Sequence, residues 1–364
     1  MKRIVIAGGG TGGHVYPALS IAQALMKIDS RLQIDFVGTE TGFEAQIIPQ
    51  SGFRLHFLKV GKLNLSGGII EKLKTLLLLP LSMIQAFKLY LKLKPDFVLG
   101  VGGYASGPFV LISALMRTPS AIWEPNAYPG LTNRILARFV PLSFVVFDDA
   151  KKLLQSREVI RVGLPVREEI EKLGDELQSK TISSTDSKFH LLIFGGSQGA
   201  RAINKSIFEY LKSEKEKLKD FEVVHQTGKL DFAEYQEKYK VLPFVTVKEY
   251  LNPMVDYYRN TDMIICRAGA STVAEVTALG KTTLFIPLPT AADNHQVKNA
   301  ESLVQQGLAL MIEQKNLTTS KLSEMIQAVK LDPEARKRNF QILRGLHVKN
   351  AAHVTAKRIL EQQQ

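Results

Sequence analysis

A glycine-rich stretch near the N-terminus is the first feature of this sequence that could do chemistry. The stretch "IVIAGGGTGGHVYP" places five glycines after a short apolar run, Ile4 to Ala7, which is typical of a buried strand. The following "PALSIAQAL" predicts a helix from Pro17, with the proline in its first turn. Unpaired N–H groups and a helix dipole then point at the glycine loop. The stretch therefore predicts a phosphate site.

His14 ends this loop and is a candidate general base. Its reference pKa of about 6.5 suits proton transfer near neutrality. The alternative is a histidine at a helix start that hydrogen-bonds only the backbone or an acceptor phosphate.

A second glycine stretch, "GVGGYASGP", follows another apolar run, Phe97 to Leu99. Two such loops facing one crevice indicate a bulky, diphosphate-rich ligand, although either loop could serve tight turns only. The first stretch also has a rival interpretation, because Gly8, Gly10 and Gly13 satisfy the G-x-G-x-x-G pattern of dinucleotide-binding folds. Asp35 lies near the distance at which such folds hold a ribose, but it falls inside a strand pattern rather than at its end.

Polar residues in the second half of the chain fit a nucleotide-sugar. "FGGSQGA" offers Ser197 and N–H donors at a predicted helix start, and "RAGASTVAEVTALG" offers Glu275 one turn into another helix. An ionised glutamate could accept from both ribose hydroxyls. The alternative is a capping box from Thr272 to Glu275, which needs no ligand. "TAADNHQVKNA" could read the hydroxyls of a sugar, or Asp293 or Asn294 could simply cap a helix.

Apolar strands alternate with helical patterns, and this alternation begins twice. The first half contains "RIVIA", "QIDFVG", "DFVLGVGG", "SAIWEP" and "LSFVVF"; the second contains "HLLIFGG", "FEVVHQ", "FVTVKEY", "DMIICRAGAS" and "TTLFIPL". This pattern predicts α/β architecture with two parallel sheets, hence two Rossmann-like domains. We expect them at residues 1–164 and 165–344, with a C-terminal helix at 345–364 on the first domain.

Composition excludes several classes of protein. The chain has 364 residues, 45% hydrophobic and 23% charged, which is ordinary for a globular enzyme. Its single cysteine, Cys266, allows no intramolecular disulfide and suits a reducing cytosol. The apolar run at the start is too short for a signal peptide. No segment reaches the ~20 apolar residues that a membrane-spanning helix needs.

The formal net charge of +12 indicates an acidic partner. The segment "IIEKLKTLLLLPLSMIQAFKLYLKLKP" has a leucine-rich centre, as in surfaces that meet anionic headgroups. Its flanks carry Lys72, Lys74, Lys88, Lys92 and Lys94. The alternative is two core helices broken at Pro80, with solvated lysines at their ends. Nucleic acid is not predicted as a partner, because no basic stretch is interleaved with aromatic residues.

Five stretches, spread in order from the N-terminus to about residue 301, resemble the signature blocks of a known family. They are "GGGTGGHVYPALSIAQAL", "GVGGYASGPF", "EPNAYPGLTNRILA", "FGGSQGARAIN" and "CRAGASTVAEVTALGKTTLFIPLPTAADNHQVKNA". The family is that of the bacterial N-acetylglucosaminyltransferases of peptidoglycan synthesis. The resemblance implies a GT-B-type fold, with two Rossmann-like domains facing across a cleft. It also implies inverting transfer of N-acetylglucosamine from UDP-N-acetylglucosamine to the C4 hydroxyl of the N-acetylmuramoyl unit of lipid I.

The resemblance also implies which residues bind the substrates. The positions that match the family's UDP-N-acetylglucosamine contacts are Thr11, Gly12, Gly13, Asn126, Arg167, Ser197, Leu251, Ala270, Ser271, Thr272, Val273, Ala274, Glu275 and Gln296. His14 is our candidate base and Glu124 the alternative. The chain departs from the family at Trp123 and Pro125, where histidine and glutamine are frequent, and at His295, where some members have glutamine.

Neither a metal nor another cofactor is expected. No Asp-x-Asp motif occurs, so we expect helix N-termini, loop amides and Arg167 to meet the charge of UDP. The expected partners are the two substrates and an anionic membrane surface, at the cytoplasmic face of the cell membrane. Two other classes stay open, an NAD-dependent oxidoreductase and a non-catalytic UDP-sugar-binding scaffold. A nucleotide-sugar epimerase on the same fold is a related enzyme alternative.

Overall fold

The computed structural model describes residues 2–61, 69–179, 188–196 and 198–362, and of residues 69–77 the backbone alone. Two compact units divide the chain. The first comprises Met1–Pro165 with Asn350–Gln364, and the second comprises Val166–Lys349.

The first unit is a parallel sheet of seven strands covered by helices. The strands are β1 (Arg3–Ala7), β2 (Gln33–Gly38), β3 (Arg54–Phe57), β4 (Phe97–Gly100), β5 (Ser120–Glu124), β6 (Leu142–Val145) and β7 (Glu158–Arg161). The helices are α1 (Gly12–Ile28), α2 (Glu44–Gln50), α3 (Ile69–Leu93), α4 (Ser106–Leu115) and α5 (Leu131–Leu136), followed by a 3-10 turn at Asp148–Leu153. The strand order is β3-β2-β1-β4-β5-β6-β7.

The second unit repeats this plan with six strands. The helices are α6 (Glu168–Ser179), α7 (Arg201–Ser213), α8 (Phe232–Lys238), α9 (Met254–Arg259), α10 (Ala270–Leu279), α11 (His295–Val304), α12 (Thr319–Leu331) and α13 (Pro333–Leu346). The strands are β8 (Phe189–Phe194), β9 (Phe221–Gln226), β10 (Val245–Lys248), β11 (Met263–Cys266), β12 (Thr282–Phe285) and β13 (Leu310–Met311), in the order β10-β9-β8-β11-β12-β13. The last helix, α14 (Ala351–Glu361), belongs to the first unit and packs against α1.

The strand order reverses at one point in each sheet, and that point positions the glycine loops. In the first sheet β1 pairs with both β2 and β4, and in the second β8 pairs with both β9 and β11. Folds of this kind bind ligands beyond the carboxyl ends of the strands that flank such a reversal. The loops after β1, β4, β8 and β11 are the glycine loops of the sequence. The prediction of two Rossmann-like domains is therefore confirmed.

Continuous apolar runs form the central strands because both faces of these sheets are covered by helices. Ile4, Ile6, Val98 and Ile265 are all fully buried, for example. All ten strand patterns read from the sequence are present. Three short strands at or near the sheet edges, β3, β7 and β13, were not predicted.

The first helix begins earlier than predicted. It starts at Gly12, so Pro17 lies inside it rather than in its first turn. Thr11 is extended, with φ −131° and ψ 158°, and its carbonyl accepts from the N–H groups of both His14 and Val15. This closed turn places His14 at the start of α1.

The alternative of two helices broken at Pro80 is wrong, because α3 continues through this proline from Ile69 to Leu93. Pro80 lies on the exposed side of the helix. Water can there satisfy the carbonyl that the missing N–H of proline leaves unpaired.

Candidate active site

The two glycine loops of the first unit pack backbone to backbone. The N–H of Gly9 donates to the carbonyl of Gly102 over 3.2 Å. A Cβ added to Gly8 would overlap the Gly102 carbonyl, and one added to Gly103 would overlap the Gly9 carbonyl. These glycines are therefore required by contact between the loops, whether or not a ligand is bound.

The first loop is open at Gly10 and Gly13, while a Cβ at Gly12 would come within 3.3 Å of the Tyr16 ring. A Cβ at Gly10, whose φ is +89°, would meet nothing within 4 Å, and one at Gly13 would meet only the Thr11 hydroxyl, at 3.8 Å. The candidate binding positions Thr11, Gly12 and Gly13 thus form an accessible stretch of backbone. This stretch leads into the N-terminus of α1, which can present N–H groups to an anion.

His14 lies where the two loops meet. A Cβ on Gly102 would come within 2.8 Å of imidazole Cε1 and 2.9 Å of Nδ1, so the ring lies directly against the second loop. The side chain is half-buried. Glycine at position 102 leaves the room that this ring occupies.

Glu124 is the last residue of β5, and its carboxylate accepts hydrogen bonds from the segment that follows this strand. One carboxylate oxygen accepts from the backbone and side-chain N–H groups of Asn126, at 2.9 and 3.2 Å. The other accepts from Gly130 N–H at 3.0 Å and from the Asn133 amide at 2.8 Å. Burial raises the pKa of Glu124, against the opposite effect of these donors. Four donors fill the acceptor sites of a carboxylate.

The departures from the family pattern on either side of Glu124 are core residues. Trp123 is fully buried in β5, and Pro125 is buried next to Glu124. The Trp123 carbonyl accepts from the Asn133 amide over 3.2 Å. The indole of Trp123 is therefore part of the hydrophobic core of the first unit.

The carboxylate of Asp35 is paired with other side chains of the first sheet and does not lie free at a strand end. It is 1% exposed, with its carboxylate 2.9 Å from Nε2 of His56 and 3.4 Å from Nε of Arg3. The ribose contact that a dinucleotide-binding fold needs is therefore missing from this residue.

Glu275 lies in the second unit and does not cap a helix. α10 begins at Ala270, with Gly269 in the N-cap position, so the alternative of a capping box from Thr272 to Glu275 is wrong. One oxygen of Glu275 accepts from the Tyr258 hydroxyl at 3.0 Å, and the other lies 3.3 Å from the Arg167 guanidinium. Burial raises the pKa of Glu275, while Arg167 acts in the opposite direction.

Tyr258 is a site residue that sequence reasoning missed. It is fully buried in α9, and its hydroxyl donates to Glu275. Burial keeps the pKa of Tyr258 well above its ordinary value, so the phenol stays protonated and remains a donor. Most buried tyrosine hydroxyls have a hydrogen-bond partner, but the sequence does not reveal which residue supplies it.

The glycine loop after β8 is held by a neighbouring loop. A Cβ at Gly199 would overlap the Thr227 carbonyl, and one at Gly228 would overlap the Gln198 carbonyl. Gly196, by contrast, has φ +94° and open space around it. The predicted contact Ser197 lies outside the described residues.

Two other predicted positions lie near the ends of β10 and β12. Leu251 is buried just beyond β10. The amide oxygen of Gln296 accepts from Leu288 N–H over 3.0 Å and so fixes the loop after β12.

The residues just before and at the start of α11 bind their own backbone or nothing that caps the helix. The imidazole of His295 pairs with the Ala292 carbonyl at 2.8 Å. Asn294 occupies the N-cap position of α11 with φ 55°, but its side chain makes no cap hydrogen bond, so capping by Asn294 is not observed.

The described part of the chain has neither a cluster of metal ligands nor a membrane-spanning helix. It contains no group of three or more His, Cys, Asp or Glu residues arranged to hold a metal ion. None of its helices combines the length and apolarity needed to cross a membrane.

The two Rossmann-like domains of this chain match two family models, and these define the class of protein as a glycosyltransferase. The family model "Glycosyltransferase family 28 N-terminal domain" matches residues 4–143, and "Glycosyltransferase family 28 C-terminal domain" matches residues 190–355. The crystal structure of Acinetobacter baumannii MurG covers 99% of this chain and 100% of its own, with a TM-score of 0.81 and 27% identity.

Curated relatives give the narrower assignment. A UDP-N-acetylglucosamine–N-acetylmuramyl-(pentapeptide) pyrophosphoryl-undecaprenol N-acetylglucosamine transferase of Bdellovibrio bacteriovorus is 47% identical over 361 residues, 99% of each chain. The enzyme of that name from Myxococcus xanthus is 40% identical over 338 residues, 93% of this chain and 87% of its own. The chain belongs to the MurG family of glycosyltransferase family 28.

Proposed function

We propose that this protein transfers N-acetylglucosamine from UDP-N-acetylglucosamine to the C4 hydroxyl of the N-acetylmuramoyl unit of lipid I, giving lipid II. The proposal rests on two candidate binding sites, one in each unit. One is the open glycine loop with His14 after β1, and the other is the partnered carboxylate of Glu275 after β11. The relatives are named for the same donor group and the same kind of acceptor.

The reaction needs a base for the attacking hydroxyl, and we assign this role to His14. The C4 hydroxyl attacks the anomeric carbon from the face opposite UDP, so the α-linked donor gives a β-linked product. Neutral imidazole can take the hydroxyl proton as the new bond forms. Glu124 is less suited, because it is 2% exposed and all of its acceptor sites are used by neighbouring N–H groups.

We assign the ribose of the donor to Glu275. Each carboxylate oxygen already has one protein partner, Tyr258 or Arg167, which fixes the plane of the group. Each oxygen also has a second lone pair that could accept from a ribose hydroxyl. The N-terminus of α10, from Ala270 to Ala274, offers N–H groups to the charge that develops on UDP.

Removing the Tyr258 hydroxyl tests this arrangement without removing the carboxylate. Tyr258→Phe is expected to raise the KM for UDP-N-acetylglucosamine about three- to tenfold with kcat little changed, because one hydrogen bond that orients Glu275 is lost. Tyr210→Phe is the matched control, since Tyr210 is equally buried and its hydroxyl has no partner among the described residues. Equal KM values in both variants would contradict the role of Tyr258.

The acceptor carries a polyprenyl chain, so we further propose that the first unit docks on the cytoplasmic face of the membrane through α3. Leu81, Ile84 and Leu91 are 44%, 54% and 48% exposed and lie on one side of the helix. Lys88 and Lys92 are exposed beside them, and Lys94 follows the helix. Exposed apolar side chains flanked by lysines are typical of a surface that enters anionic headgroups. Lys72 and Lys74, also predicted here, have no described side chains.

Exchange of the three described lysines tests this docking surface. Lys88→Gln, Lys92→Gln and Lys94→Gln together are expected to weaken binding to anionic vesicles by about a hundredfold, since each lysine near such a surface contributes roughly 1 kcal/mol. Co-sedimentation measures the loss, and turnover on a short-chain acceptor should not change.

The control for this exchange carries the same change of charge in the second unit, at the exposed Lys205, Lys212 and Lys215. Equal sedimentation of the two triple variants would contradict docking through α3.

A transfer assay tests the function itself. Pure protein is incubated with labelled UDP-N-acetylglucosamine and a short-chain lipid I analogue, with and without EDTA. We expect UDP and a labelled disaccharide-lipid in both arms. Donor binding without product would favour a scaffold, a changed sugar without acceptor use would favour an epimerase, and binding of NAD alone would favour an oxidoreductase.

A further inference from the structure

A buried carboxylate outside the described site contacts the first glycine loop. Glu44, the first residue of α2, is 1% exposed. Its Oε2 accepts from Gly10 N–H over 2.6 Å, and its Oε1 accepts from the N–H and the hydroxyl of Thr39, at 2.9 and 2.8 Å. The carboxylate thus links the loop after β1 to the loop after β2.

The surrounding backbone is shaped around this one side chain. A Cβ at Gly9, Gly38 or Gly42 would overlap the Glu44 side chain. In the part of the chain that the structure describes, no Lys, Arg or His forms an ion pair with it. A buried carboxylate is costly unless hydrogen bonds compensate it, and here backbone and hydroxyl donors supply them.

The glycine loop needs such a partner because its conformation is otherwise weakly determined. Gly8, Gly9 and Gly10 are consecutive and have φ values of +144°, +148° and +89°. Three glycines in succession lose much backbone entropy when they are ordered. The loop is tied by Gly9 N–H to Gly102 on one side and by Gly10 N–H to Glu44 on the other.

These contacts continue to the imidazole. Glu44 lies against Gly9, Gly9 donates to the Gly102 carbonyl, and the Gly102 backbone lies against the ring of His14. A shift of the loop at Gly9 or Gly10 would therefore displace the surface on which the ring rests.

We propose that Glu44 is the positioning residue of the first glycine loop and that it holds the ring of His14 in place for the transfer reaction. This inference rests on the function proposed for His14. It assigns Glu44 no contact with substrate. A preorganised reacting group can lose a large rate factor when it is displaced by as little as about 1 Å.

The isosteric exchange Glu44→Gln tests the proposal. An amide NH2 cannot accept from the N–H of Gly10 or Thr39, so one of these donors loses its partner. We expect kcat to fall about tenfold to a hundredfold, while UDP affinity by calorimetry stays at the parental value. Asp35→Asn is the matched control, because Asp35 is an equally buried carboxylate of the same unit that pairs with Arg3 and His56. It should lower the melting temperature and leave kcat unchanged.

A second background separates this inference from the proposed function. In a His14→Ala protein, Glu44→Gln should lower kcat by no more than about twofold, because two residues that act as a unit are not additive. A full additional loss in that background, or parental kcat in folded Glu44→Gln, would overturn the role of Glu44. Near-parental turnover of His14→Ala alone would instead overturn the base assignment.

A milder variant covers the case in which Glu44→Gln does not fold. Thr39→Val removes only the hydroxyl that donates to Glu44. It should lower kcat about two- to fivefold, with UDP affinity unchanged. Parental kcat in this folded variant would overturn the proposal.

Discussion

Replacing His14 with alanine is expected to lower kcat by about 10²- to 10⁴-fold while the affinity for UDP stays at its parental value. The rate falls because the attacking hydroxyl loses the group that takes its proton. The affinity is kept because Glu275, the carboxylate proposed to hold the ribose, and its partners belong to the second unit. Steady-state transfer to a short-chain acceptor and calorimetry with UDP measure the two quantities separately.

The control for this variant is His353→Ala, which removes an exposed histidine of α14 in the same unit. It should have parental kcat. Near-normal turnover of His14→Ala would contradict the base assignment and return the role to Glu124 or to no side chain.

Replacing Glu275 with alanine is expected to weaken UDP binding by about ten- to a hundredfold, because a hydrogen-bonding partner that carries a charge contributes about 1.5 to 3 kcal/mol. The change also leaves the Tyr258 hydroxyl and the Arg167 guanidinium without their shared partner. Calorimetry with UDP gives the dissociation constant, and a thermal melt shows whether the unit stays folded.

Glu209→Ala is the control for this exchange, since Glu209 lies exposed on α7. It should bind UDP as the parent does. Unchanged UDP affinity in folded Glu275→Ala would leave the carboxylate with a purely structural role.

The sequence predicted the central strands because they are buried on both faces. Runs such as "RIVIA" and "MIIC" are apolar at every position or nearly so, and a short run of this kind fits a strand that is buried on both faces. β3 reads "RLHF" and β7 reads "EVIR", and none of these eight residues is buried. Strands that are short, polar and partly exposed carry too weak a pattern to be told from loops.

The site was only partly predictable, for reasons of distance along the chain. The glycine loops and His14 are local features, so their positions followed from spacing. What each glycine does was not evident, since Gly8 and Gly103 serve contact between two loops that lie far apart in sequence. Tyr258 and Glu44 were missed because a buried polar group is recognised by its partner, and a partner 17 or 34 residues away leaves no local pattern.

The glycosidic linkage of the transfer product is the most direct test of the proposed reaction. Pure protein, UDP-N-acetylglucosamine and a short-chain lipid I analogue are incubated, and the product is isolated for NMR. The anomeric proton coupling gives the configuration, and the long-range carbon-proton correlations give the position of attachment. We expect one new β-linked N-acetylglucosamine on the C4 oxygen of the N-acetylmuramoyl unit. The proposed function would be contradicted by an α-linked sugar or by attachment at another hydroxyl. It would also be contradicted if folded protein left the acceptor unchanged.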